Sequence, residues 1–147
     1  MNLYRRLHGS KALKLDNYLS DQAQEAAKTY IKNGKSSFRR KSNSAVNCKK
    51  IHFTLAPLLV NMWYKESRSY NYRRPGPQLQ TSHFTNLIWR STVKVGIGIV
   101  KNDSYLYICF IYSPSGNVQR KYIDNVRKAR YHLVNSRSFF STLHNNN

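Results

Sequence analysis

Acid is what this chain lacks most. Asp and Glu number 6 against 25 Lys and Arg, which leaves a net charge of +19 over 147 residues with histidines neutral. Cysteine is scarce too. Cys48 and Cys109 are too few for a disulfide framework or a cysteine-based zinc site. Apolar stretches such as Leu55–Val60 and Val95–Val100 fall far short of the roughly 20 residues that a membrane-spanning helix needs. The opening Met-Asn-Leu-Tyr-Arg-Arg-Leu-His-Gly has no apolar core of the signal-peptide kind, and no Gly at position 2 for N-myristoylation. Read as written, that start predicts a cytosolic chain with both thiols free.

What is present points to a folded domain. Hydrophobic residues make up 40 % of the chain, and 2 Trp, 11 Tyr and 6 Phe supply enough apolar surface to overcome the charge. At this length one domain is expected, with a core that needs no metal or disulfide. After Asp16, the apolar positions Leu19, Ala23, Ala26, Ala27, Tyr30 and Ile31 share one helical face, with Asp16 as N-cap and Gly34 just past the end. Leu3–Leu7 reads as a short helix closed by Gly9. The polar, basic stretch from Lys35 to Lys50 reads as an exposed loop. A helix then starts at Pro57 and carries Leu58, Leu59, Met62, Trp63, Glu66 and Tyr70 along one stripe. Glu66 is the only acid there.

A Tyr-, Arg- and Pro-rich loop follows from Tyr70 to Thr81, then a short helix over Ser82–Arg90. Val93–Val100 alternates like a half-buried strand, and Ser104–Tyr112 is a nearly continuous apolar strand after an Asn102-Asp103 turn. These two form an antiparallel hairpin in the middle of a sheet. The domain spans 1–126, and 127–147 is a basic tail ending in asparagines.

Two segments stop looking generic when taken together. Ser82-His83-Phe84-Thr85-Asn86-Leu87-Ile88-Trp89-Arg90-Ser91-Thr92 and Tyr112-Ser113-Pro114-Ser115-Gly116-Asn117-Val118 resemble the two signature motifs of the CAP superfamily, the cysteine-rich secretory, antigen 5 and pathogenesis-related 1 proteins. Trp63-Tyr64-Lys65-Glu66 resembles the Trp-Tyr-x-Glu of that family's central helix, and His8-Gly9 with Leu13-Lys14-Leu15-Asp16 resembles its opening. Among subfamilies, the cysteine-poor, Golgi-associated type is most similar. The resemblance implies an α/β fold of CAP type: an α-β-α sandwich whose central, mostly antiparallel sheet lies between helical layers.

Members of this family often line a cleft with two histidines and two glutamates that can hold a divalent metal. His83 and Glu66 match one of each. The resemblance places Arg39 and Lys50 at the other two positions, and cations are not metal ligands at neutral pH. One imidazole and one carboxylate fall short of the three protein ligands of an open zinc site, so no metal or other cofactor is expected. His52 lies near the gap as a candidate replacement ligand. The plainer reading is a hydrogen-bonded Glu66–His83 pair with Lys50 beside it as counter-ion. No serine stands in a nucleophile-elbow context, so no enzyme is expected. Trp63, Phe84 and Trp89 read as core, Cys109 as a core thiol, and His8, His132 and His144 as structural or solvent-facing.

A charge of +19 exceeds what solubility requires and calls for an anionic partner. Basic clusters stand at Arg5-Arg6, Arg39-Arg40-Lys41, Lys49-Lys50, Arg73-Arg74, Arg120-Lys121 and Arg127-Lys128-Arg130. The expected partner is an anionic phospholipid membrane, held peripherally at the Golgi or another membrane. Arg39, Arg40, Lys49, Lys50, Arg73 and Arg74 would meet headgroups, and Tyr70, Tyr72, Pro75 and Pro77 would sit at the interface. The resemblance also implies a sterol or fatty acid as possible cargo, and a homodimer is a further expectation. Two other classes stay open: a secreted protein of defence or reproduction, if a signal peptide lies upstream, and a nucleic-acid binder that uses Tyr stacking beside phosphate contacts.

Overall fold

The structure is a computed structural model that describes residues 1–34 and 44–130. Among them run α1 (Asn2–Leu7), β1 (Lys14–Leu15), α2 (Asn17–Asn33), β2 (Ala45–His52), α3 (Leu59–Lys65), α4 (Ser82–Ile88), β3 (Lys94–Asn102), β4 (Tyr105–Ser113) and α5 (Tyr122–Asn125). Two 3-10 turns, Phe53–Leu58 and Glu66–Ser69, bracket α3. The four strands form one sheet in the order β1-β3-β4-β2. Only the short β1–β3 pairing is parallel, so the sheet is mostly antiparallel with the β3–β4 hairpin at its centre. Helices cover both of its faces, as the α-β-α sandwich requires.

Local chemistry sets these elements. The Asp16 side chain accepts the Leu19 N–H at 3.0 Å and opens α2, and Gly34 closes it in the left-handed conformation. The buried face of α2 (Leu19, Ala23, Ala26 and Ala27) packs against Cys109 and Ile111. Contact is close enough that a Cβ on Gly96 or Gly98 of β3 would overlap the α2 backbone at Leu19 and Ala23. The opposite face of the sheet buries Val95, Ile108, Phe110 and Tyr112 beneath Leu59 and Trp63. Pro57 stands inside the first 3-10 turn, not at the first turn of α3.

Three sequence expectations are corrected. Ala45–Lys50 belongs to an edge strand rather than a loop, because β4 supplies an apolar partner for the whole segment. Cys48 and Cys109 are not free thiols: they face each other in the β2–β4 register, with Cα atoms 4.2 Å apart, and form a disulfide. Arg5 is not surface charge. It is fully buried, and its guanidinium donates to the carbonyls of Lys11 (2.8 Å), Leu87 (3.0 Å), Trp89 (2.9 Å) and Thr92 (2.7 Å). Trp63, Phe84 and Trp89 are core residues, as expected.

His8 is buried at the end of α1. Its Nδ1 meets the Arg127 carbonyl, an acceptor only, so that nitrogen carries the proton. Nε2 then accepts from the Tyr64 hydroxyl at 3.1 Å. The start of the basic tail is held here as well, since the Arg130 N–H donates to the Leu7 carbonyl at 2.8 Å. Burial lowers the His8 pKa below its ordinary 6.5, against the opposing effect of the Arg127 carbonyl. A depressed imidazole pKa favours the neutral folded form, so this stabilisation is complete above pH 6.5 and declines as pH falls below it. Urea titrations at stepped pH should show a decline of at most about 1.4 kcal/mol per unit from this group. The variant His8→Gln should flatten that part of the slope.

Candidate functional site

Glu66 stands in the 3-10 turn that ends α3, and His83 in the first turn of α4. The His83 Nδ1 lies 2.8 Å from Glu66 Oε1. The other carboxylate oxygen, Oε2, accepts the backbone N–H groups of His83 at 3.1 Å and Phe84 at 3.0 Å. Thr81, the residue before α4, gives that helix no side-chain cap, so Glu66 caps it from a distance. The imidazole also lies parallel to the Trp63 ring, with centroids 5.4 Å apart. Burial is partial: the Glu66 and His83 side chains are 20 % and 33 % exposed. The expected pair therefore forms, and its carboxylate is largely occupied by helix N–H groups.

His83 lines a cleft of about 220 Å³ together with Asn47, Ser82, Asn86, Ser115 and Asn117. Amides knit its walls. Asn86 Nδ2 donates to Asn47 Oδ1 at 2.9 Å, and Asn47 Nδ2 donates to the His83 carbonyl at 3.3 Å. Asn117 accepts from the Thr85 hydroxyl at 2.6 Å and donates to the Ser82 carbonyl at 2.9 Å. This set joins β2, α4 and the turn after β4. Sequence reading missed Asn47, because it was placed in a polar loop. The signal was there in retrospect, as one asparagine between Val46 and Cys48 in a segment of period two.

Lys50 is not at the pair. Strand alternation turns Asn47 toward α4 and Lys50 to the other side of the sheet, where its Nζ lies 4.4 Å from the Tyr105 ring centroid and 5.6 Å from that of Tyr107. The expectation of Lys50 as counter-ion is thus overturned by a one-residue difference in parity. Arg39, with Arg40, lies outside the described residues, as do His132 and His144. His52 is occupied locally: its Nδ1 is 2.8 Å from the Thr54 hydroxyl and accepts the Thr54 N–H, capping the 3-10 turn. Among the described residues no three His, Cys, Asp or Glu side chains converge on a point that could hold a metal ion. With both cysteines bonded to each other, the cleft offers hydrogen-bond donors and acceptors and one imidazole.

Of the expected headgroup residues, Lys49, Lys50, Arg73 and Arg74 are all exposed. Tyr70 is not available at a membrane interface: it is buried against Phe84, and its hydroxyl accepts the Gly76 N–H at 3.3 Å. Tyr72 packs edge-on against it and is half-buried. Pro75, Pro77 and Leu79 are the exposed apolar groups of that loop.

Comparison with known proteins identifies the family and the fold. The profile of the Cysteine-rich secretory protein family (CAP) matches residues 1–113. Golgi-associated plant pathogenesis-related protein 1 of Homo sapiens is 31 % identical over 123 residues, covering 80 % of this chain and 79 % of its own length. Venom allergen 5 of Vespula maculifrons is 34 % identical over 70 residues, 43 % of this chain and 34 % of that protein. Among solved structures, NaASP2 with Zn2+ superposes with a TM-score of 0.65 at 19 % identity, over 82 % of this chain and 68 % of that one. Venom allergen-like protein 4 of Schistosoma mansoni gives 0.62 at 18 % identity, over 88 % and 91 %.

Replacing Glu66 with Ala should remove the cap of α4 and the partner of His83 together. The expected loss is about 2 kcal/mol in urea denaturation, with Glu66→Gln losing less because its amide oxygen still accepts.

Proposed function

The chain belongs to the cysteine-rich secretory protein (CAP) family, and from that premise we propose that it is a non-enzymatic protein that adheres peripherally to anionic phospholipid membranes. The observation that carries the reading is the distribution of charge. Of the 6 acids in the chain, Asp16, Asp21 and Glu25 lie on or beside α2, and Glu66 is committed to α4. The loop from Tyr70 to Thr81 contains none, and it exposes Arg73 and Arg74. Lys49 and Lys50 add exposed cations on the edge strand, and Arg39 and Arg40 belong to the same proposal. Each Lys or Arg beside an anionic leaflet contributes about 1 kcal/mol, so four to six of them make a useful attachment without a membrane-spanning segment. Among the described residues no helix is long and apolar enough to cross a membrane. The human relative carries "Golgi-associated" in its name, which favours an internal membrane as the surface. The His83–Glu66 pair serves this reading as a fold element in a polar cleft.

Flotation with phosphatidylcholine liposomes, with and without phosphatidylserine, tests this. Binding should require phosphatidylserine and weaken as salt rises. The double change Arg73→Gln with Arg74→Gln should weaken it about thirtyfold, the equivalent of about 2 kcal/mol. Equal binding to neutral liposomes, or binding only to nucleic acid in a parallel gel shift, would overturn the assignment.

One observation favours a second reading, a secreted protein of defence or reproduction: the Cys48–Cys109 disulfide suits an oxidising compartment. Alkylation of the protein taken from cells separates the two. Resistance of both cysteines until reduction supports the secretory route, and immediate labelling of both supports the cytosolic face.

A further inference from the structure

The segment that joins β2 to α3 is an apolar turn that nothing among the described residues covers. Phe53, Leu55, Leu58 and Met62 are 50 %, 47 %, 52 % and 42 % exposed, and no residue of the Phe53–Leu58 turn is buried. Geometry gathers the last three, with Phe53 at the start of the turn. Three residues per 3-10 turn bring Leu55 and Leu58 onto one side, and the α3 helix continues that stripe through Met62 to Lys65. The turn is held firmly from beneath. Phe53 donates its N–H to the Ser104 carbonyl at 3.0 Å, Ala56 packs on the core, and the flanking Ile51 and Leu59 are buried. Such exposure of four large apolar groups on a fixed turn calls for a partner.

We infer that this turn is the part of the molecule that inserts into the interfacial zone of an anionic bilayer, with Phe53, Leu55, Leu58 and Met62 as the wedge and Lys49 and Lys65 as its cationic rim. The inference rests on the membrane adhesion proposed above and names the inserting element. Charge complementarity selects the occupant. From Lys49 to Lys65 the chain contains no Asp or Glu, and the nearest acid along the strand pairing is Asp103 in the β3–β4 turn, one residue from Ser104. A second copy of this chain, itself carrying +19 overall, would set the same lysines against this face. Leucine and phenylalanine at headgroup depth, beside lysines that reach phosphate, match the pattern of interfacial segments.

The test uses the full chain carrying an environment-sensitive fluorophore on a new cysteine at one of three places: Leu58→Cys in the wedge, Leu79→Cys in the Arg73-Arg74 loop, or Lys28→Cys on α2. Vesicles of phosphatidylcholine with phosphatidylserine should brighten and blue-shift the probe at 58 and leave that at 28 unchanged. Unlabelled Leu55→Ser with Leu58→Ser should bind these vesicles at least about tenfold more weakly, while the salt-sensitive part of binding persists. Binding with the probe at 58 still aqueous, whether or not that at 79 responds, overturns this assignment and leaves membrane adhesion standing. No binding to either vesicle type removes the adhesion itself. A double variant that changes only sedimentation, with vesicle binding intact, would make the face a contact between copies and equally overturn it.

Discussion

A cation without a carboxylate holds this fold together. Arg5 is taken out of water entirely, and burial pushes its pKa down from the ordinary arginine value to about 10, which still leaves it charged at neutral pH. What compensates is a set of four backbone carbonyls, two from the end of α4, one from the turn before β3 and one from the segment after α1. Peptide oxygens at a helix C-terminus carry partial negative charge, so a buried cation there meets both hydrogen-bond and dipole requirements. The oxygens of Leu87 and Thr92 take this guanidinium as a buried donor, whereas that of Trp89 also accepts the Thr92 N–H at 3.2 Å. Removing the guanidinium would therefore cost more than its own contacts, because the orphaned carbonyls lose their solvation as well.

Fixing one end of α4 leaves the other to be positioned, and there the polarity reverses. Glu66 places a carboxylate on the free N–H groups of His83 and Phe84, so α4 runs from an anion at its start to a cation at its end. A helix of seven residues has little stability of its own. With both termini clamped by opposite charges from α3 and α1, it becomes a rigid wall for the cleft, and His83 comes with it.

How much of this was visible beforehand depends on whether the information is local. The capped helix from Asp16 to Gly34, the central hairpin and the three buried aromatics of α3 and α4 follow from periodicity and turn chemistry, which a single chain displays. The Glu66–His83 pair was legible through family motifs. Arg5 was not, because an arginine beside Arg6 looks like surface charge until the carbonyls 82 to 87 residues away are folded around it. Edge strand β2 was hidden for a similar reason. Its outward Lys49 and Lys50 and its buried Asn47 mask the apolar alternation, and its pairing partner lies in β4.

Strand register then decides what the cleft is. Had β2 slipped by one residue, every side chain would exchange faces and Lys50 would move to the face that carries α3 and α4. Three features oppose that slip: the Cys48–Cys109 bond, the Asn47–Asn86 hydrogen bond, and Ile51 in the core beneath Leu59. Each belongs to the observed parity and would be lost in the other. The cleft is consequently lined by neutral amides and hydroxyls around one imidazole, and the lysine that the family resemblance placed there lies instead over two tyrosines on the far face. Apart from the buried Arg5, the cations named here lie outside the cleft, on loops, helix surfaces and the sheet edge. Adhesion to an anionic surface and recognition in the cleft are physically separable, since neither depends on the charge of the other.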